Sequence, residues 1–174
     1  NVIDRTDFEV LQPAIDYYLD KGTPNEKLRT YYYQGRIYQN KNERDSSMQA
    51  FIKARELEAE MTDTFTFANL LVAQGTYHYA TYKTEEFIAN NLQAAPLYQA
   101  IGRSRYQMRC LASALDGSIV KKNKPLADSI LTCCQNLVKK YPDYGSYMIP
   151  YMLTYTITWG SDEEIRTVID LYQD

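Results

Sequence analysis

Self-similarity at a fixed interval constrains this chain most, because a sequence that repeats must build one small unit several times and stack the copies. The interval is forty residues. Tyr31, Leu71, Leu111 and Tyr151 stand at one phase, and Gln34-Gly35 and Gln74-Gly75 at another. Leu11, Phe51, Leu131 and Leu171 share a third column, broken by Asn91. Ala14, Ala54, Ala94 and Cys134 share a fourth, all small, and Tyr17, Leu57, Leu97 and Leu137 share a fifth. These columns align without an inserted residue.

The turn signals keep the same interval. Gly22-Thr23-Pro24, Thr62-Asp63-Thr64, Gly102-Arg103-Ser104 and Pro142-Asp143-Tyr144 form one set. Lys41-Asn42-Glu43, Thr81-Tyr82-Lys83, Lys121-Lys122-Asn123 and Ser161-Asp162-Glu163 form a second, dividing each unit into two segments of roughly 16 residues. Within a segment the apolar spacing is helical, as in Ala50, Phe51, Ala54, Leu57 and in Leu126, Ile130, Leu131, Cys134, Leu137, Val138. A helix of that length spans about 24 Å and is marginal in water by itself. A hairpin of two such helices cannot bury its apolar face alone, so neighbours must complete the core. The expected fold is an all-α solenoid of about four antiparallel helix pairs, with residues 1–174 as a single repeat domain. The small column lets neighbouring helices approach closely, and Gly35 and Gly75 read as further close-packing positions.

Composition agrees. Apolar residues at 45% and charged residues at 24% disfavour disorder. Only 7 Gly and 6 Pro stand against 17 Tyr, which suits long helices better than many short strands. With 19 basic and 22 acidic side chains the formal charge is -3, so no electrostatic ground exists for a nucleic-acid partner or an anionic membrane. The longest apolar run, Met148 to Trp159, contains Pro150 and falls short of the ~20 residues that cross a bilayer, so this segment is not expected to insert.

At Tyr31, Gln34-Gly35 and Tyr38, followed by Ser47, Phe51 and Ala54, the sequence resembles a tetratricopeptide repeat, with Gln34 replacing the usual leucine. The unit at 64–101 keeps Leu71, Gly75 and Ala94 but has His78, Phe87 and Asn91 where a tyrosine, a small residue and an aromatic are usual. The unit at 104–141 retains Ala127 and Leu131, with Cys134 for alanine. The resemblance implies a right-handed superhelix whose hairpins, at forty residues, are longer than the family's 34. The run from Ile15 to Tyr38 also resembles bacterial helical-repeat proteins that are lipid-anchored or joined to sensor modules. That likeness implies a periplasmic or cell-envelope location ahead of a cytoplasmic one.

In the family the first helix of each pair lines a concave groove, and those positions map to Arg29, Tyr32, Arg36, Gln39 and Asn40. In the next unit they map to Asn69, Thr76 and Tyr79 with Val72, and then to Arg109 and Asp116 with Ala112. Aromatic anchors beside arginine and amide side chains are the mix enriched at protein-binding hot spots. The lysine and asparagine pattern that clamps a free C-terminus is missing, so an internal peptide segment or a protein surface is the expected partner.

Chemistry-bearing patterns are weaker. Ser118 and Lys121 have a serine–lysine nucleophile spacing but no supporting base or oxyanion turn. The carboxylates Glu56, Glu58, Glu60 and Asp162, Glu163, Glu164 read as solvated helix surface. His78, the sole histidine, reads as a structural residue between two helices; a deep pocket joining it to two carboxylates would instead revive an enzyme. Cys110, Cys133 and Cys134 read as buried small hydrophobes. No catalytic residue, metal ligand or cofactor is therefore assigned. By the same interval the helix from Asp7 to Lys21 lacks its partner, and Val168, Ile169 and Leu171 near the end form an uncovered stripe. The expectation is a segment of a longer repeat protein, or ends that pair with another copy. The expected function is a non-enzymatic scaffold that binds a peptide or protein, the alternative being an architectural array that associates with itself.

Overall fold

A computed structural model describes residues 8–170, and all of the described structure is helical, with no strand among those residues. The helices are α1 (Phe8–Lys21), α2 (Pro24–Asn40), α3 (Arg44–Arg55), α4 (Thr64–Ala80), α5 (Thr84–Ala100), α6 (Ser104–Val120), α7 (Lys124–Lys140), α8 (Gly145–Trp159) and α9 (Asp162–Asp170). A single turn of 3-10 helix, Pro142–Tyr144, leads into α8. Leu171 lies outside the described residues. The chain divides into two compact units, 1–83 and 84–174.

Four of the breaks between helices are the same device. After α2, the Asn42 N–H donates to the Gln39 carbonyl and the Glu43 N–H to that of Tyr38. The same pair of bonds recurs from Tyr82 and Lys83, from Gly102 and Arg103, and from Lys122 and Asn123. This is the Schellman closure, which satisfies orphan carbonyls and needs a left-handed residue just past the helix. Those residues have φ of 61° at Asn42, 60° at Tyr82, 53° at Lys122 and 69° at Gly102. Only Gly102 reaches that region without steric cost.

In the first unit, α2 packs on α3 and both contact α4. Gly35 on α2 meets the ring of Phe51 on α3, and Phe51, Ala54, Leu28 and Ser47 are sealed from solvent. The capping box at Thr23 and Glu26 starts α2: the Thr23 Oγ accepts from the Glu26 N–H at 3.3 Å, and the Thr23 N–H donates to the Glu26 carboxylate at 2.8 Å. α3 ends at Arg55 and runs on as tight turns to Glu60, shorter than the forty-residue interval led us to expect. Glu56, Glu58 and Glu60 explain the early stop, since carboxylates at a helix C-terminus oppose its dipole. Ala14 departs from its column: it is exposed, whereas Ala54, Ala94 and Cys134 are fully buried. Among the described residues α1 packs chiefly on α2, and Ala14 lies off that contact.

In the second unit, α6 packs on α5, α7 and α8. Gly117 on α6 is the close-approach point, because a Cβ there would come within 2.7 Å of Ile88 Cγ1 on α5. Asn91, which interrupts the apolar column, is buried with its amide donating to the Phe87 carbonyl at 2.9 Å. Cys110 and Cys134 are buried as expected, but Cys133 is exposed, since it points one position round the helix from Cys134. Among the described residues no helix is long and apolar enough to cross a membrane.

Candidate functional site

The positions mapped onto the first unit are largely occupied by the fold itself. Arg29 donates from Nε to the Asp63 carboxylate at 2.6 Å, tying α2 to the start of α4. Gln39 donates to the Ala73 carbonyl at 2.9 Å, a second tie between the same helices. Tyr32 is only 8% exposed, which corrects its assignment as an open aromatic anchor: its ring lies in the core. The Tyr32 hydroxyl accepts from Arg36 at 3.4 Å, and the Arg36 Nε is enclosed with no hydrogen-bond partner among the described residues. Thr76 returns its hydroxyl to the Val72 carbonyl of its own helix. Asn40 and Tyr79 are exposed and Asn69 is half-buried. These side chains share the α2 and α4 region, but hydrogen bonding spends several of them on joining helices.

Arg109 and Asp116 belong to the second unit, and the structure brings them into one environment. Along α6, Arg105, Arg109, Ala112 and Asp116 follow i, i+4, i+7, i+11 spacing and share a face. Opposite, Tyr144, Tyr147 and Tyr151 follow i, i+3, i+7 spacing into α8. Between the two helices lies an open cleft of about 940 Å³, lined by Arg105, Tyr106, Arg109, Asp143, Tyr144 and Tyr147 among others. The Ser104 and Tyr144 hydroxyls lie 2.9 Å apart and pin its outer end. Tyr106 stacks on the buried Tyr98, with ring centroids 5.1 Å apart and planes at 27°. The Tyr147 and Tyr151 hydroxyls are 3.4 Å apart.

Electrostatics links the two walls. Burial pushes the Tyr151 hydroxyl above its ordinary range, the Tyr147 hydrogen bond and the Asp116 charge push the same way, and Arg109 opposes them. Burial also raises the Asp116 carboxyl. Tyr151 therefore remains a neutral hydroxyl at physiological pH. Neither Arg105 nor Arg109 forms an ion pair among the described residues. Guanidinium groups without an ion-pair partner among the described residues, set beside tyrosine hydroxyls, make a surface suited to hydrogen-bonding anionic or amide groups.

Arg105, Tyr106, Asp143, Tyr144 and Tyr147 were missed by mapping from a family pattern. The signal was present in the sequence as tyrosines at 144, 147 and 151, a helical stripe. Tyr151 is half-buried beside Tyr147, its partner in the hydroxyl contact. The remaining candidates are plainly placed. Ser118 is fully buried with its hydroxyl donating to the Ala114 carbonyl at 2.7 Å. His78 is half-buried and packs edge-on against Tyr77 at 5.6 Å between centroids. No cluster of three potential metal ligands occurs among the described residues. Compared with known protein families, with curated proteins and with solved structures, the chain matches none.

Proposed function

We propose that the chain is a non-enzymatic scaffold of the tetratricopeptide kind, its helix pairs following a right-handed solenoid plan, and that it binds a peptide or protein segment in the cleft between α6 and α8. The observation that carries this reading is the pair Arg105 and Arg109, unpaired and set opposite Tyr144 and Tyr147 across an open cleft. Aromatic and arginine side chains on rigid helices lose little conformational freedom on binding, which is why such groups dominate binding energy.

The test is selection of peptides from a random display library on the native chain, followed by binding to an Arg109→Ala/Tyr147→Ala variant. Both residues are exposed, so the variant is expected to keep its melting temperature while losing the selected peptides. Unchanged binding by the variant, or a library that yields no binder, defeats the proposal.

Self-association is favoured by a separate observation. Ile149, Met152 and Ile157 on α8 are 43%, 43% and 56% exposed, an apolar surface of the kind that meets a second copy. Sedimentation across a concentration series, with Met152→Lys as the comparison, distinguishes this reading from the groove.

A further inference from the structure

The charge and spacing of the cleft go further than its general suitability for peptides. Arg105 and Arg109 are both exposed, one helical turn apart on α6, and both line the opening. Four residues of helix advance about 6 Å. In an extended peptide, alternate side chains fall on the same side at about 6.5 Å. The two distances agree, so one extended strand can present two side chains to two guanidinium groups without bending.

The lining carries two guanidinium groups against one carboxylate, Asp143. Asp116 stands seven residues beyond Arg109, about 10 Å further along the helix. A segment bearing carboxylates thus meets a net positive wall at the Arg105 end, and a basic segment is repelled there. The aromatic face of Tyr147, 39% exposed on the α8 wall, offers contact to the residue between the two acids, which points away from α6. At about 940 Å³ the cleft is far larger than one oxyanion requires, and its concavity does not fit a flat membrane surface.

We infer that the occupant of the α6/α8 cleft is an extended acidic segment whose two carboxylates, separated by one residue, pair with Arg105 and Arg109. This rests on the scaffold reading above and names the partner's chemistry. The arginines supply charge-assisted bonds that can be bidentate, which lysine would not supply in the same planar geometry. The intervening side chain lies toward the tyrosines.

Fluorescence anisotropy on the full chain tests it, with a short labelled peptide carrying Glu-Tyr-Glu as probe and its Gln-Tyr-Gln and Lys-Tyr-Lys versions alongside. The acidic probe is expected to bind about tenfold or more tightly than the glutamine version and to weaken as salt is raised. Arg105→Gln/Arg109→Gln should abolish that preference at an unchanged melting temperature, and Lys139→Gln should leave it intact. Equal binding of the acidic and glutamine probes, or an acidic preference that survives the double substitution, overturns the inference while leaving the scaffold reading in place. Failure of all three probes and of every library peptide overturns both. Binding only to phosphatidylserine vesicles, or concentration-dependent self-association lost in the double variant, also overturns it and assigns the arginines to a lipid surface or to a second copy.

Discussion

Gly35 shows how one atom fixes a helix crossing. A Cβ at that position would overlap the Phe51 ring, whose Cζ would stand only 2.9 Å away. Phe51 is fully buried, so the ring has no solvent side into which to move. Gly35→Ala therefore forces the ring off its rotamer or pushes α2 from α3. Overpacking of this sort costs about 1–3 kcal/mol, well above the small gain that alanine brings to a helix interior. A lower urea midpoint for G35A, with helical circular dichroism retained, is the expected result; a midpoint at or above that of the native chain would show that the interface accommodates a methyl group.

Helix joints carry strain of a different sort. Tyr82 sits at φ 60° in a Schellman turn with its side chain 94% exposed, so it holds a left-handed conformation with almost no packing in return. Glycine removes the Cβ that makes this region unfavourable for L-residues. Tyr82→Gly is expected to raise stability by about 1 kcal/mol in equilibrium unfolding, less the extra entropy that glycine gives the unfolded chain. The joint between α2 and α4 depends on ionisation as well. Burial pushes the Asp63 carboxyl up, but hydrogen bonds from the Thr66 backbone and hydroxyl and from Arg29 outweigh it and hold the group below its ordinary 3.8. A depressed carboxyl contributes stability that is fully present above the unfolded value and is lost as pH falls through the folded one. The native chain should accordingly lose stability below about pH 4 by an increment that Asp63→Asn does not show, read as the difference between their urea midpoints across the acid range.

At the largest scale the three cysteines, all on α6 and α7, report how the second unit is packed. Burial pushes the thiols of Cys110 and Cys134 up to about 12, whereas Cys133 is exposed. Only a thiolate alkylates at a useful rate. Intact mass after iodoacetamide at mildly alkaline pH should show one adduct on the native chain, at Cys133, and three after denaturation. Rapid modification of all three without denaturant would mean that the α6 and α7 faces bearing Cys110 and Cys134 open freely.

Helical periodicity and the turn residues were enough to read the chain as all-helical and to place most of the helix starts, because both act within a few residues of chain. Helices begin at Pro24, Arg44, Thr64, Thr84, Ser104 and Lys124, each where a turn signal releases the backbone. Ala54, Ala94 and Cys134 are buried as their column requires, since a stripe at helical spacing has one side to hide. Exposure and pairing were not legible in the same way. Nothing local distinguishes Tyr32, which the fold buries, from Tyr147, which lines the cleft, because both are tyrosines on an amphipathic helix. Likewise Arg29 finds Asp63 across 34 residues, while Arg105 and Arg109 find no carboxylate to pair with among the described residues. Local sequence determined where the chain coils and where it turns; which arginines and tyrosines remain open to a partner was decided by helices from distant parts of the chain packing together, since only that packing brings competing donors and acceptors within reach.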